Sequence, residues 1–364
     1  MRSIRLEHVY KSFGEERVLN DINLEIPGGK FFALLGPSGC GKTTILRLIA
    51  GLEAVDSGKI FLGDEDITHQ PVFQRRINTV FQNYALFPHL SVFENVAYGL
   101  RLKGISDSEI GERVFAQFKA TGLLGLERKL PKALSGGQKQ RVALARALVG
   151  KPEVILFDEP LAALDVKLKE RVLVELMDLQ YELKTTFVYV THDQAEALTI
   201  ADKMAIMGFG GSIAQTGTPE DIYEFPVSTF VADFVGSTNI FEGVLHRHDE
   251  GEFFIDVEGI GALDLSIEKL ENWTIPGGYV YASIRPEKIE INKEKLENFS
   301  YCLEGKVENT SYAGRSTQYQ VVIANGQSVT VFEQNEDYFQ ADKIGDDDDV
   351  YLHFQKNNLV LLEK

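Results

Sequence analysis

The sequence predicts a layered α/β domain followed by a smaller all-β domain. Three features carry that expectation: short apolar runs alternate with helical segments, a glycine-rich turn joins one such run to a helix, and charge and texture change near residue 236. The runs "FFALLG" (31–36), "VILFD" (154–158) and "TFVYVTHD" (186–193) are rich in β-branched and aromatic residues and read as buried parallel strands. Between the last two, Val172, Leu173, Leu176, Leu179 and Leu183 recur at helical spacing across residues 167–183. Strands alternating with helices imply a sheet covered on both faces.

After "TGTPEDIYEFP" (216–226) the pattern becomes short strand-like pieces between Gly, Asn and Asp turns. "GYVYASI" (278–284), "YQVVIA" (319–324) and "SVTVF" (328–332) are examples, and they suit small β-barrels or sandwiches. Net charge is −17, unevenly spread: residues 1–235 carry 26 Lys+Arg against 30 Asp+Glu, and residues 236–364 carry 11 against 24. That shift predicts a domain boundary near Gly236, giving domains 1–235 and 236–364. It also argues against a nucleic-acid binder, which needs positive charge along its groove. The "DDDD" run at 346–349 reads as a solvated loop.

No run approaches the roughly 18 to 20 apolar residues of a membrane-spanning helix. Residues 1–10 lack the apolar core of a signal peptide. Cys40 and Cys302 form no motif together, which fits a reducing compartment. The expectation is a soluble protein that stays where it is made.

"LLGPSGCGKTTILRLIAGL" (34–52) carries the chemistry. Gly36, Gly41, Lys42 and Thr43 satisfy G-x-x-x-x-G-K-[ST], with a strand before and a helix after, the context this P-loop motif requires. Glycines let successive backbone N–H groups turn inward around phosphate oxygens, and the helix N-terminus favours the same anion. The segment Gly36, Ser38, Gly39, Cys40, Gly41, Lys42, Thr43 and Thr44 is therefore the predicted cradle of a nucleoside triphosphate. Lys42 is expected on the β- and γ-phosphates and the Thr43 hydroxyl on Mg²⁺.

"LSGGQKQRVALARAL" (134–148) resembles the signature motif of ABC transporter ATPases. The resemblance implies an ABC-type P-loop NTPase with a RecA-like core and a helical subdomain at about 84–150. It implies a head-to-tail homodimer in which Ser135, Gly136, Gly137 and Gln138 of one copy contact the ATP held by the other. Further family motifs follow in order. In "VILFDEP", Asp158 matches the Mg²⁺-holding aspartate and Glu159 the base that activates water. Asp165 in "LAALD" matches the D-loop, and His192 in "VTHD" the switch histidine. Gln82 in "TVFQNYALFPHLSVFENV" matches the Q-loop, bridging Mg²⁺ and the attacking water. Phe13 aligns with the aromatic that stacks on adenine. Tyr84, Leu86, Phe87 and Phe93 suit either the core or a grip on membrane subunits. In "MGFGGSIAQTG" the turn holds Phe209 where relatives often carry charge.

Residues 236–364 resemble the OB-like TOBE domain of importer ATPases, with "SIRPEKIEI" (283–291) as its Arg-Pro-Glu segment. The whole chain is most similar to ATPase subunits of bacterial spermidine/putrescine importers, on "DITHQPVFQRRINTVFQNYALFPHLSVFENVAYGLRLKG" and "NTSYAGRSTQYQVVIANGQ". Iron and sugar importers share most of the motifs and stay open as alternatives. A soluble ABC ATPase acting on nucleic acid or ribosomes is the different-class alternative, but the paired modules or coiled-coil insertion it calls for do not occur. The importer resemblance implies ATP and Mg²⁺ as cofactors, two integral membrane permease subunits, a periplasmic or lipid-anchored solute-binding protein, no nucleic acid, and a peripheral position on the cytoplasmic face of the inner membrane.

Overall fold

The computed structural model describes residues 1–162, 164–248, 252–266, 274–335 and 343–364. Ala163 of "LAALD" lies outside the described residues. The chain divides into two compact units, Met1–Glu220 and Asp221–Lys364.

In the first unit, β1 (Ile4–Phe13) and β2 (Glu16–Ile26) form an antiparallel hairpin, and β3 (Phe31–Leu35) runs through the glycine-rich loop into α1 (Lys42–Ala50). β4 (Ser57–Leu62) and β5 (Glu65–Asp66) return to the hairpin and complete an antiparallel sheet in the order β2-β1-β4-β5. β6 (Ile77–Val80) precedes three helices, α2 (Val92–Leu102), α3 (Asp107–Ala120) and α4 (Gly136–Leu148). Then come β7 (Val154–Asp158), α5 (Val166–Leu183), β8 (Thr186–Thr191), α6 (Gln194–Ile200), β9 (Lys203–Met207) and β10 (Ile213–Gly217). The second sheet has the order β10-β9-β3-β8-β7-β6, with β3, β6, β7, β8 and β9 parallel.

All three apolar runs read from the sequence are strands of this parallel sheet. Every residue of β3 and β8 is buried, as helices on both faces require. α5 buries Val172, Leu173, Leu176 and Leu179, whereas Leu183, at its last turn, is 41% exposed and falls off the apolar stripe. α2, α3 and α4 close around their own core of Val92, Val96, Leu100, Ile110, Phe118 and Val142, which forms the helical subdomain. α1 is held at its far end by the buried Arg75. Its guanidinium donates to the Leu48 and Ile49 carbonyls at 2.6 and 2.7 Å, groups that a helix terminus leaves unpaired.

α7 (Pro219–Glu224) straddles the division, and α8 (Thr229–Phe234) begins the second unit. There β11 (Asn239–Arg247), β12 (Phe253–Val257), β13 (Gly261–Leu265) and β14 (Tyr279–Ile284) precede β15 (Glu290–Asn292), β16 (Tyr301–Tyr312), β17 (Ser316–Ile323), β18 (Ser328–Gln334), β19 (Asp349–Phe354) and β20 (Val360–Leu362). They make two antiparallel sheets, β13-β12-β11-β14-β20 and β15-β19-β16-β17-β18. Alternate residues point inward; on β17 these are Thr317, Tyr319, Val321 and Ile323. Phe241, Ile255 and Val280 of one sheet share a core with Val307, Val321 and Phe354 of the other. This is the paired all-β arrangement expected from the sequence.

The division falls earlier than the charge shift at Gly236 suggests, and Arg285 supplies the reason. Its guanidinium donates to the carbonyls of Tyr223, Ala232, Gly236 and Ser237 at 2.8 to 3.2 Å and lies 4.2 Å from the Tyr223 ring. Thr229 N donates to Glu363 O at 2.9 Å, tying the start of α8 to the residue that follows β20. Residues 221–235 therefore belong with the β unit. The acidic run is a loop over residues 346–348, where Asp347 pairs with Lys306 at 2.8 Å and Asp348 with Lys293 at 2.9 Å, but Asp349 opens β19 opposite Lys306.

His353 makes the second unit sensitive to pH. It is buried on β19 between Glu290 of β15 and Cys302 of β16, and its Nε2 accepts the Leu296 N–H at 3.0 Å. Burial holds the imidazole below its ordinary value. The unfolded chain therefore takes up a proton that the folded chain refuses, so the contribution to stability is complete above about pH 6.5 and is lost as pH falls below it. Calorimetry of the full chain is expected to show the second unit's transition falling between about pH 7.5 and about pH 5.5, and His353→Phe is expected to flatten that slope. An unchanged slope in the variant refutes this account.

Candidate active site

The parallel register brings four loops to one edge of the sheet. β3 pairs with β8 as far as Leu35 opposite Thr191, β8 pairs with β7 as far as Val190 opposite Asp158, and β7 pairs with β6 as far as Phe157 opposite Val80. The segments beyond these ends carry Gly36 to Thr44, His192, Glu159 and Gln82. Ligands of open parallel sheets bind outside the carboxyl ends of the strands.

The glycine loop is shaped by its neighbours. At Gly41 φ is 101°, and a Cβ there would lie 2.6 Å from Leu19 Cδ2 and 3.0 Å from Val18 O. At Gly39 φ is 82°, and a Cβ would meet nothing within 4 Å, so this face of the turn is open. Ser38 is exposed beside it. Lys42 is buried, with Nζ donating to the Gly36 and Pro37 carbonyls at 2.8 Å each. The Cys40 side chain faces the core, where burial pushes its thiol up, and its N–H reaches Pro37 O at 3.4 Å.

Two contacts join the strands at this edge. The Thr43 hydroxyl, on the first turn of α1, donates to Asp158 Oδ1 at 2.9 Å. Burial pushes the Asp158 carboxyl up, and the Thr43 hydrogen bond opposes it. Next along the chain, Glu159 Oε1 stands 3.2 Å from His192 Nδ1. Glu159 has φ 44°, a conformation rare for a residue with a side chain, and its N–H is tied to Val190 O at 3.0 Å. A hydroxyl beside a carboxylate is the hard oxygen set that Mg²⁺ prefers, so these residues fit that ion. Among the described residues no three His, Cys, Asp or Glu side chains converge as a protein-only metal cage.

Gln82 is exposed in the turn after β6. Tyr84 and Ala85 both take positive φ, 62° and 43°, and the Arg146 guanidinium of α4 donates to their carbonyls at 2.8 and 2.7 Å. Tyr84 is core, while Leu86, Phe87 and Phe93 are half-buried. Phe13, at the end of β1, is 46% exposed, with the Lys11 ammonium 5.0 Å from its ring centre, so it is not a core residue. Phe209 is 75% exposed at its turn.

The signature residues form a separate group. Ser135 caps α4 in a reciprocal pair: Gln138 N donates to Ser135 Oγ at 3.3 Å, and Ser135 N donates to Gln138 Oε1 at 3.1 Å. A Cβ on Gly136 would lie 3.2 Å from Leu164, and one on Gly137 3.7 Å from Leu168. Leu168 N is capped by Asp165 at 3.1 Å. Contacts thus link Thr43 to Asp158 and Glu159 to His192, while Ser135 and Asp165 cap the starts of α4 and α5. Arg146 and Glu196 went unread in the sequence. Arg146 acts through the carbonyls of Tyr84 and Ala85, far away in sequence, and Glu196 joins its neighbours Tyr189 and Thr191 to the distant Lys169.

Comparisons with known proteins bear on this arrangement. The family described as "ABC transporter" matches residues 19–162, and the TOBE domain matches residues 282–362. A spermidine/putrescine import ATP-binding protein, PotA, of Fusobacterium nucleatum is 43% identical over 100% of this chain and 98% of its own length. The chain belongs to the ABC transporter family of ATPases. The protein of the same description from Nostoc sp. is 46% identical over 91% of this chain and 87% of its own. That from Thermotoga maritima is 41% identical over 99% and 98%. Among solved structures, cbiO1 from Clostridium perfringens, part of the ABC transporter complex cbiONQ, superposes with a TM-score of 0.57 at 30% identity. It covers 64% of this chain and 92% of its own. Among the described residues no helix is long and apolar enough to cross a membrane.

The packing at Gly41 gives a direct test. Gly41→Ala places a methyl against Leu19 and the Val18 carbonyl at a left-handed φ. Nucleotide binding, read by fluorescent-ATP titration, is expected to fall by at least about tenfold, the equivalent of ~1.4 kcal/mol. Unchanged affinity in this variant contradicts the packing argument.

Proposed function

We propose that this chain is the ATP-hydrolysing subunit of a bacterial polyamine importer, taking spermidine or putrescine as solute. The observation that carries the chemistry is the Glu159–His192 contact of 3.2 Å beside the Thr43–Asp158 contact of 2.9 Å. The solute reading is supported by relatives named for spermidine and putrescine import that match over nearly the whole chain.

In this reading ATP is the substrate. The loop from Gly36 to Thr44 wraps the phosphates, Lys42 neutralises their outer charge, and Phe13 stacks on the adenine. Thr43, Asp158 and Gln82 would hold Mg²⁺, which would supply charge neutralisation at the phosphates. Glu159 takes the proton of the attacking water, and Gln82 and His192 orient the reacting groups around the γ-phosphate. Ser135, Gly136, Gly137, Gln138 and Asp165 serve the nucleotide of a second copy. That assignment rests on the head-to-tail homodimer of the ABC family.

The groove of about 460 Å³ lined by Asn78, Phe81, Phe87, Tyr98, Arg146 and Gly150 is the place for a permease subunit. Two permeases and an external solute-binding protein complete the assembly at the cytoplasmic face of the inner membrane. The acidic TOBE unit regulates transport or steadies the dimer rather than binding nucleic acid.

Co-expression with the permeases and binding protein, followed by uptake of labelled spermidine into vesicles loaded with ATP, tests the assignment. Polyamine-stimulated hydrolysis is expected; stimulation by ferric iron or a sugar instead refutes the solute. Glu159→Gln is expected to lower turnover about 10²- to 10⁴-fold while ATP still binds. Mixing Lys42→Ala with Ser135→Arg chains leaves one intact composite site per mixed dimer, so partial recovery of hydrolysis is expected. No recovery, with Ser135→Arg still dimerising on ATP, counts against the shared site.

A further inference from the structure

A buried carboxylate lies beneath the histidine of the site. Glu196 on α6 is 5% exposed. Its Oε2 accepts hydrogen bonds from the Tyr189 hydroxyl at 2.8 Å and the Thr191 hydroxyl at 2.9 Å. Its Oε1 pairs with Lys169 Nζ at 2.8 Å. Lys169 also pairs with Asp193 Oδ2 at 3.2 Å. Asp193 Oδ1 in turn accepts the Glu196 N–H at 3.2 Å, and Asp193 N donates to Thr191 Oγ1 at 2.9 Å. Residues 189, 191 and 193 are therefore pinned on both sides of His192, whose side chain is itself 53% exposed.

Lys169 does not come from the same stretch of chain. It lies on the first turn of α5, where its N–H donates to Asp165 O at 2.9 Å. One ammonium thus ties the helix capped by Asp165 to the turn that presents His192. Two carboxylates, one of them buried, share that ammonium. Without it, Glu196 is a buried carboxylate that keeps its two hydroxyl donors but loses its ion partner, which favours a shift toward water. That shift moves the residues flanking His192.

We propose that Lys169, through Glu196 and Asp193, is a positioning residue for His192 that couples its placement to the first turn of α5. The proposal rests on the reading of His192 as part of the hydrolytic site. It deepens that reading, because Asp165 belongs to the group assigned to the second copy's nucleotide. A displacement of α5 at that contact reaches His192 through a single ion-paired side chain.

The test uses steady-state ATP hydrolysis by the full chain. Lys169→Gln is expected to lower kcat on the order of ten- to a hundredfold, the size of effect a small misplacement of a reacting group produces. KM for ATP should stay within about twofold, because the phosphate cradle is untouched. Lys169→Arg, which keeps the charge, should recover most of kcat. The decisive comparison is the double variant Lys169→Gln/His192→Ala. If Lys169 acts through His192, it should be no slower than His192→Ala alone, whereas losses that multiply overturn the proposal. If His192→Ala alone retains wild-type turnover, the reading of His192 fails and takes the proposal with it. If His192→Ala loses turnover and Lys169→Gln does not, only the proposal fails. Should Lys169→Gln no longer bind ATP, Asp193→Asn carries the same comparisons, since asparagine keeps the helix cap and loses the ion pair.

Discussion

Everything at the site depends on parallel strands ending in step. β6, β7, β8 and β3 are neighbours in one sheet, and their pairing runs out at Val80, Asp158, Thr191 and Leu35. The next few residues of each strand leave from the same edge. Chemistry-bearing side chains scattered over more than a hundred residues of sequence thereby come within hydrogen-bonding distance. Burial on both faces makes the sheet stiff enough to keep them there.

Some of the backbone strain sits where this order is used. Glu159, Tyr84 and Ala85 all adopt positive φ, which costs on the order of 1–3 kcal/mol for each side-chain-bearing residue. Each is over-determined by its surroundings. Glu159 is held through its N–H by Val190, and Tyr84 and Ala85 through their carbonyls by Arg146. The same Arg146 lies 5.6 Å over the Phe87 ring, so one guanidinium joins the turn after Gln82 to the wall of the neighbouring groove. Strain and clamp together fix a single geometry for groups that a relaxed loop would leave in several.

The parts of the fold that were legible in the sequence have strong local demands. Two fully buried strands, and a third buried as far as Phe157, left continuous apolar runs, and a loop that must bend around phosphates needs its glycines at set spacings. The N-terminal antiparallel sheet was not legible, because β-bulges break its two-residue alternation between Leu6 and Val9 and again before Lys11 and Ser12. Positive φ at His8 and Asp21 adds to the irregularity. Among the site residues, Lys42, Thr43, Asp158, Glu159 and His192 lie in motifs a reader can find. Glu196 looks in sequence like any helical glutamate, and its burial is decided by Tyr189, Thr191 and Lys169 together. The division between the compact units lies ahead of the change in charge at Gly236 for a similar reason. Charge marks surface composition, whereas the division is set by an arginine about fifty residues downstream.

Arg285 has a practical meaning for recombination between relatives. Its four carbonyl partners lie in residues 223–237, so a splice at the visible change of composition separates a guanidinium from the backbone it was selected to hold. A crossover at Glu220 passes the lock and its keyhole on together. The second unit is therefore a block that begins before its first strand, and an exchange that respects the block leaves the contacts of Arg285 intact.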